Sequence, residues 1–211
     1  MTIFEDISSA VQRGKRKEVA PLVQQAIDEG CSAEDILNQA LIPAMDVIGE
    51  KFSQGEVFVP EMLVAARAMS AGTDVLKPYL AAEGTEPVGK AVIGTVKGDM
   101  HDIGKNLVRM MIESKGFEVE DLGVDVAPEQ FVSFLQEHDD VDIVCCSSLL
   151  TTTMPEIKAT IQAIEGAGLR DKVKVMIGGA PVTQAYADEV GADAYTEDAG
   201  EAAARAVKLV S

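Results

Sequence analysis

The stretch that decides the fold runs from residue 90 to residue 106 and reads KAVIGTVKGDMHDIGKN. It opens with a short run rich in β-branched side chains, which predicts a buried strand, and a glycine-containing loop follows. Further predicted strands, each followed by an amphipathic stretch, are Glu118–Leu122, Asp142–Cys146, Lys172–Ile177 and Asp193–Tyr195. Five strands alternating with five helices predict a parallel sheet covered on both faces, and the expected α/β fold is flavodoxin/Rossmann-like with strand order 2-1-3-4-5.

Upstream of this region the apolar residues recur at helical spacing, which predicts an N-terminal helical bundle of about four helices. Gly30 ends one predicted helix, and Ser32 with Asp35 forms a capping box for the next. Pro60 suits the first turn of a later helix, whereas Pro43 is expected to kink the third helix.

A polar segment, Glu83–Gly89, separates the two patterns and reads EGTEPVG. It has no apolar period of its own, so it is predicted to be a linker. The expected domains are therefore a helical domain at residues 1–87 and an α/β domain at residues 88–211.

Composition limits the classes of partner. The 211 residues carry a formal net charge of −17, which repels phosphate backbones and anionic lipids, so neither nucleic acid nor a membrane is an expected partner. No segment resembles a signal peptide or a membrane span, and a cytoplasmic location is expected. Cys31, Cys145 and Cys146 form no CxxC pair and are expected to be buried thiols.

A histidine stands in the loop after the first strand, where the predicted strand order reverses. Asp99, two residues before His101, can accept a ring N–H and leave the other nitrogen as a base, a nucleophile or a metal ligand. The competing interpretation is that Asp99 or Asp102 caps the following helix and that His101 is an ordinary loop residue. Sheets of this kind bind ligands at the switch point, where the strand order reverses, and this favours a functional role for His101.

The loop after the third strand is expected to lie across the switch point from His101. Five of its seven residues carry hydroxyl groups: Ser147, Ser148, Thr151, Thr152 and Thr153. Capping of the helix that begins near Pro155 would need only one of them. Gly178 and Gly179 follow the fourth strand and permit close approach of a ligand. These loops predict a deep slot lined by glycine and hydroxyl groups.

A single histidine limits the possible chemistry. Zinc and non-haem iron need three or four protein ligands, and His138 lies in an acidic stretch where it is expected to be solvated. A metal in a macrocycle needs only one axial ligand and a partner that tunes it, which His101 and Asp99 can supply. A phosphohistidine carrier also uses one histidine, so the residues alone leave both interpretations open.

Three ordered motifs carry a family resemblance: Asp99-x-His101-x-x-Gly104, Ser147-x-Leu149-x-Thr151 and Gly178-Gly179. Together they resemble the cobalamin-binding domain of methionine synthase and of corrinoid methyltransferase proteins. Residues 49–61, GEKFSQGEVFVPE, resemble the end of the helical cap domain of those proteins. The resemblance covers nearly the whole chain and implies a stand-alone corrinoid protein of a methyltransferase system, with cobalamin or a related corrinoid as its cofactor.

The resemblance also implies roles for individual residues. His101 would be the lower axial cobalt ligand and Asp99 its hydrogen-bond partner. Thr153 would supply the hydroxyl that completes this hydrogen-bonded relay, at a position where methionine synthase has serine. The other implied cofactor contacts in the α/β domain are Met100, Ile103, Gly104, Ser147, Leu149, Thr151, Gly178 and Gly179, with Ser147 and Thr151 at the nucleotide tail. Phe52 and Val59 would shield the upper corrin face, although these residues and Phe58 are alternatively bundle core.

The implied function is that of a methyl carrier that is not an enzyme by itself. It would accept a methyl group on cobalt(I) from a substrate-specific methyltransferase and deliver it from methyl-cobalt(III) to a second methyltransferase, whose acceptor is tetrahydrofolate or a thiol. A reductive activation protein is a further implied partner. The methyl donor stays open among methylamines, methanol, betaines and aryl methyl ethers. The alternatives are a cobalamin-binding mutase subunit, a cobalamin-dependent sensor, and a flavodoxin-like or phosphotransfer domain.

Overall fold

The computed structural model describes residues 2–211. The chain forms two compact units. The first ends at Pro87 and also includes Ser114–Gly116, and the second comprises Val88–Glu113 and Phe117–Ser211. Within the described part of the chain, no helix combines the length and the apolarity that a membrane crossing requires.

The first unit is helical. Its α-helices are α1 (Ile3–Gln12), α2 (Arg16–Asp28), α3 (Ala33–Ile36), α4 (Ile42–Ser53) and α5 (Val59–Glu83). A π-helical turn, Leu37–Leu41, joins α3 directly to α4, so these segments form four rods, as the apolar spacing predicted. The core between them consists of aliphatic and methionine side chains such as Ile7, Val23, Leu41, Met62 and Leu76.

The ends of these helices follow the predicted capping signals. The Asp35 amide donates to Ser32 Oγ at 3.0 Å at the start of α3, and Gly30 follows α2 with a φ of +90°. Pro60 lies in the first turn of α5. That helix ends at Glu83, followed by Gly84 in the left-handed conformation, so Glu83 is helical and not part of the linker.

Pro43 is accommodated by the π-helical turn that precedes it. The Ile42 amide donates to the Leu37 carbonyl five residues earlier, and Pro43 then lies in the first turn of α4. Proline has no N–H to donate and its ring crowds the preceding turn of an α-helix. A wider turn relieves both problems. The irregularity expected at Pro43 therefore takes the form of a π turn inside a continuous helical rod.

The second unit contains a five-stranded parallel sheet. Its strands are β1 (Lys90–Val96), β2 (Glu118–Val126), β3 (Ile143–Ser147), β4 (Lys174–Gly178) and β5 (Ala194–Tyr195). Its helices are α6 (Ile103–Glu113), α7 (Pro128–Glu137), α8 (Met154–Gly166), α9 (Gln184–Val190) and α10 (Ala199–Val210). The strand order is β2-β1-β3-β4-β5, α10 packs against α6, and α7 packs against α8. The predicted α/β fold and strand order are confirmed.

Strand β1 lies at the reversal of strand order and pairs with β2 on one side and β3 on the other. It is buried from Ala91 to Val96, which explains its unbroken apolar run. Strand β2 extends to Val126, beyond the predicted end at Leu122, and its register with β1 shifts twice near Gly94. Extra residues in β2 therefore bulge beside the carboxyl end of β1. The loops that follow β1 and β3 share this edge of the sheet.

Candidate functional site

The centre of the site is the Asp99 carboxylate, whose side chain is completely buried. Its Oδ1 lies 2.7 Å from His101 Nδ1 and accepts the His101 amide at 3.1 Å. Its Oδ2 accepts hydrogen bonds from the amides of Leu149 (2.7 Å) and Leu150 (3.3 Å) and from the Thr153 hydroxyl (2.8 Å). The loops after β1 and β3 are thus joined through one carboxylate.

These hydrogen bonds keep Asp99 ionised. Burial on its own raises the pKa of a carboxyl group, but the donors from His101, Leu149 and Thr153 outweigh it and hold the pKa of Asp99 well below its usual range. An ionised Asp99 accepts from His101 Nδ1, so in the neutral form of the ring Nδ1 carries the proton and Nε2 has the lone pair. The imidazole is 52% exposed, so this pairing leaves a nitrogen donor with access to a ligand.

The Thr153 hydroxyl does not cap a helix. Thr153 occupies the N-cap position of α8 but makes no side-chain capping hydrogen bond, because its hydroxyl contacts Asp99 and the Leu150 carbonyl at 3.0 Å. The buried Ser148 hydroxyl lies 2.8 Å from Thr153 Oγ1. The capping interpretation of this hydroxyl is therefore wrong. Ser148 was one of the hydroxyl residues of the loop, but no motif distinguished it from its neighbours.

The interpretation of Asp99 as a helix cap is also wrong, since its carboxylate bonds to His101 and the β3 loop. The helix α6 instead begins with the Asn106 amide donating to the Asp102 carbonyl at 2.8 Å. The buried Thr95 hydroxyl at the end of β1 donates to the His101 carbonyl at 2.8 Å. The backbone on both sides of the His101 side chain is therefore held in place.

Exposed apolar side chains lie in the loop of His101 and in the loop that Asp99 joins to it. Met100 is 68% exposed and Ile103 is 71% exposed in the loop after β1. Leu149 and Leu150 are also exposed, in the loop after β3. Four large apolar side chains beside one imidazole form a surface suited to a broad apolar ligand. We call these four residues the apolar rim. Met100, Ile103 and Leu149 were predicted contacts, whereas Leu150 was not.

The glycines of the site differ in what they contact. A Cβ on Gly179, whose φ is +131°, would lie 1.8 Å from the Ser148 carbonyl oxygen, so the chain's own packing requires glycine there. A Cβ on Gly104 or Gly178 would meet no atom within 4 Å. Open space around Gly104 and Gly178 fits their expected role, while the packing against Ser148 is a sufficient reason for Gly179.

Two other predicted contacts lie at the same edge of the sheet. Ser147 is partly buried at the end of β3, in register with Thr95 of β1 and Gly178 of β4. Thr151 is exposed in the loop that follows. Both are available to a ligand that enters between the loops after β1, β3 and β4.

Phe52 and Val59 belong to the first unit. Both are partly exposed, and Phe58 between them is 67% exposed. Phe58 is therefore not a residue of the bundle core, whereas the roles of the partly buried Phe52 and Val59 stay a prediction. Their exposure leaves them available for contact with a ligand or a partner.

A buried ion pair holds the start of α6 against β2. The Lys105 side chain is 2% exposed, and Nζ lies 2.6 Å from each carboxylate oxygen of Asp121. Burial raises the pKa of Asp121, but the hydrogen bonds from Lys105 and the Gly123 amide hold it below its usual value. No sequence motif pointed to this pair, because its partners lie on different elements.

Other polar residues offer no alternative metal site. Among residues 2–211, no group of three His, Cys, Asp or Glu side chains is placed to hold a metal ion. His138 is partly buried, stacks on Phe134 with ring centroids 4.1 Å apart and is not the solvated residue we expected. Cys145 and Cys146 are buried, which raises the pKa of the Cys145 thiol to about 12, whereas Cys31 is partly exposed.

Comparisons with known proteins identify related proteins over nearly the whole chain. Residues 89–208 match the B12 binding domain family, and residues 3–77 match a second B12 binding domain model. Dimethylamine corrinoid protein 1 of Methanosarcina acetivorans is 42% identical over 99% of this chain and 98% of its own length.

Two solved structures are similar. A cobalamin-binding protein from Desulfitobacterium hafniense has a TM-score of 0.83 at 31% identity, covering 99% of this chain and 98% of the other. A chain in the methanol:cobalamin methyltransferase complex MtaBC from Methanosarcina barkeri has a TM-score of 0.85 at 28% identity, covering 99% and 79%. Since a B12 binding domain model matches more than half of the chain, this protein belongs to the B12-binding-domain family.

Proposed function

We propose that this chain is a corrinoid methyl carrier that works with a methyltransferase. The observation that carries the proposal is the Asp99–His101 pair, which leaves Nε2 of a half-exposed imidazole available in the same loops as the apolar rim. Membership in the B12-binding family makes the cofactor cobalamin or a related corrinoid. Relatives that match over nearly the whole chain are named dimethylamine corrinoid proteins.

The residues present fit such a cofactor. A corrin ring supplies its own nitrogens to cobalt, so the protein would need to add only one ligand. His101 offers a single nitrogen, the apolar rim offers contact to the ring, and the open space at Gly104 and Gly178 leaves room for the nucleotide tail. The other proposed contacts are Met100, Ile103, Ser147, Leu149 and Thr151. Gly179 lies beside them and is needed for its packing against Ser148.

When bound, the corrinoid supplies a cobalt centre whose reduced form is nucleophilic enough to take a methyl group from a stable donor. The protein's own residues orient and tune the axial ligand. Asp99 holds the proton on His101 Nδ1 and so keeps Nε2 free to ligate. Thr153 holds the other Asp99 oxygen in place. A proton on Nδ1 thus has a fixed acceptor at Asp99 Oδ1.

The two domains divide the work in this proposal. Residues 88–211 would bind the corrinoid, and residues 1–87 would act as a cap, with Phe52 and Val59 as the residues that would shield it. The linker that follows Gly84 is the hinge, since both partners must reach the same face in turn. A match over the helical unit as well as the sheet favours a methyl carrier over a mutase subunit, which would share only the second domain. The net charge of −17 disfavours a sensor that binds DNA.

The partners follow from this division. A substrate-specific methyltransferase would supply the methyl group, a second methyltransferase would take it up for tetrahydrofolate or a thiol, and a reductive activation protein would be needed to restore the reduced cofactor. The isolated chain then has no turnover with free methylated substrates. Steady turnover by the purified chain alone would contradict the carrier role, and methyl transfer that begins only on addition of a methyltransferase supports it.

The test of the cofactor site is electron paramagnetic resonance of the cobalt(II) form. The chain is produced with either ordinary or ¹⁵N-labelled histidine and loaded with hydroxocobalamin before reduction. If His101 is the ligand, the nitrogen splitting changes from a triplet to a doublet on labelling, because ¹⁵N has a smaller nuclear spin. His101→Ala removes this change and His138→Ala, the matched control, keeps it. A nitrogen splitting that stays a triplet after histidine labelling refutes the assignment of His101 as the ligand.

A further inference from the structure

Asp125, near the end of β2, has an unusual backbone conformation. Its φ is +54°, and among residues 2–211 it is the only non-glycine residue with a positive φ. An L side chain is strained in this region, although aspartate tolerates it better than most residues. Gly123, two residues earlier, also has a positive φ but is a glycine. A glycine at position 125 would remove the strain, so the Asp125 side chain must have a separate use.

Asp125 binds the turn that carries Asp99 at two points. Its carboxylate Oδ1 accepts the Gly98 amide at 2.6 Å, and its own amide donates to the Asp99 carbonyl at 3.0 Å. The turn is closed on its other side by the Asp99 amide, which donates to the Val96 carbonyl at 3.1 Å. The positive φ of Asp125 and the bulged register of β2 bring both groups to this turn.

We propose that Asp125 is a positioning residue for the Asp99–His101 pair. The Asp99 side chain must lie within hydrogen-bond distance of His101 on one side and of the Leu149 amide on the other. Its direction depends on the backbone of Asp99 itself, which Asp125 holds at the Gly98 amide and the Asp99 carbonyl. The inference rests on the proposed function for its consequence, since the positioned nitrogen is the proposed axial ligand.

The test compares two variants and a control in the unloaded chain. Asp125→Gly permits the same φ but has no side-chain acceptor, and Asp125→Asn keeps a carbonyl oxygen there. The matched control is Asp142→Ala, because Asp142 Oδ2 accepts the Lys90 amide at 2.8 Å at the opposite end of β1. The readouts are ¹H–¹⁵N correlations of the His101 ring, which report its tautomer, and hydrogen exchange of the Gly98 amide.

We expect the wild type and Asp125→Asn to share a single Nδ1–H tautomer and a protected Gly98 amide. Asp125→Gly should exchange the Gly98 amide about tenfold faster or more and mix the two tautomers, since a charge-assisted hydrogen bond is lost. Asp142→Ala should keep the wild-type tautomer. If Asp125→Gly keeps the wild-type tautomer, or if the wild-type Gly98 amide is unprotected, the positioning role is wrong.

Cobalt(II) spectra of the corrinoid-loaded protein distinguish a failure of this inference from a failure of the proposed function. If the wild type lacks labelled-histidine coupling in its cobalt(II) spectrum, the proposed axial role of His101 fails, while the ring tautomer still decides the role of Asp125. If the wild type has the coupling and Asp125→Gly retains it in full, the positioning inference alone is overturned. Partial loss in Asp125→Gly, with Asp142→Ala unchanged, supports both. Should Asp125→Gly fail to fold, the Gly98 exchange decides the role. An unprotected Gly98 amide in the wild type overturns it, and so does an Asp125→Asn variant that exposes the Gly98 amide but keeps the single Nδ1–H tautomer.

Discussion

Replacing Asp99 by asparagine should reverse the tautomer of His101. The carboxylate offers one oxygen to the two donors of His101 and the other to Leu149, Leu150 and Thr153. An asparagine has only one oxygen, and the larger number of donors draws it toward the β3 loop. Its NH₂ group then faces His101 Nδ1. Nδ1 then accepts a hydrogen bond from this NH₂ group, and the ring proton moves to Nε2.

The size of the effect follows from the bond that is lost. Ligation through Nε2 would force Nδ1–H to point at the NH₂ group, so the ligated variant lacks the charge-assisted hydrogen bond of about 2 kcal/mol that the ligated wild type keeps. That free energy corresponds to about a thirtyfold weaker histidine coordination. The nitrogen-coupled fraction of the cobalt(II) spectrum measures it, and ¹⁵N correlations of the unloaded ring identify the tautomer.

Asp102→Asn is the matched control for Asp99→Asn. It removes the same charge one residue away from His101, but the Asp102 carboxylate bonds to the Asn106 side chain at 3.2 Å and not to the imidazole. We expect the control to keep both the Nδ1–H tautomer and the wild-type coordination. If Asp99→Asn retains the Nδ1–H tautomer and full nitrogen coupling, then Asp99 does not select the state of His101.

Three further predictions concern stability and are measured by urea unfolding. Gly179→Ala should cost about 3 kcal/mol or more, because a Cβ at φ +131° would overlap the Ser148 carbonyl at 1.8 Å; an unchanged midpoint would contradict this packing. Lys105→Met should cost about 3 kcal/mol near pH 7 by leaving Asp121 without its main partner. Burial raises the pKa of Asp121, but Lys105 lowers it by more, so the folded pKa lies below the unfolded one. The ion pair therefore stabilises the fold above about pH 3.9, and this stabilisation is lost as the pH falls through the folded pKa. The free energies of unfolding of the wild type and the variant should converge in acid. Glu83→Ala should cost about 1 kcal/mol, because the Glu83 carboxylate accepts the first amides of α3, at Ala33 (3.1 Å) and Glu34 (3.4 Å), whereas Glu86→Ala should cost nothing measurable.

Local patterns were sufficient for the fold. The β-branched run at Lys90–Val96 predicted β1 with its observed bounds, because hydrophobic periodicity depends only on neighbouring residues. The end of β2 was predicted too early, since Gly123 and the polar residues beside it are typical of a turn. Only pairing with β1 keeps that segment in the sheet. Pro43 was likewise recognised as an irregularity, while its π-helical form depends on the packing of the whole rod.

The sequence by itself determined the α/β architecture, the place of the site and the pairing of Asp99 with His101, because their spacing is local. Only the tertiary structure decided how Asp99 is held. Its partners Leu149, Leu150 and Thr153 lie about fifty residues away along the chain, and two of them use backbone amides. An amide donor has no side-chain signature, and its direction depends on strand order and register. For the same reason, Asp125 becomes recognisable only once the bulge of β2 brings it against Gly98.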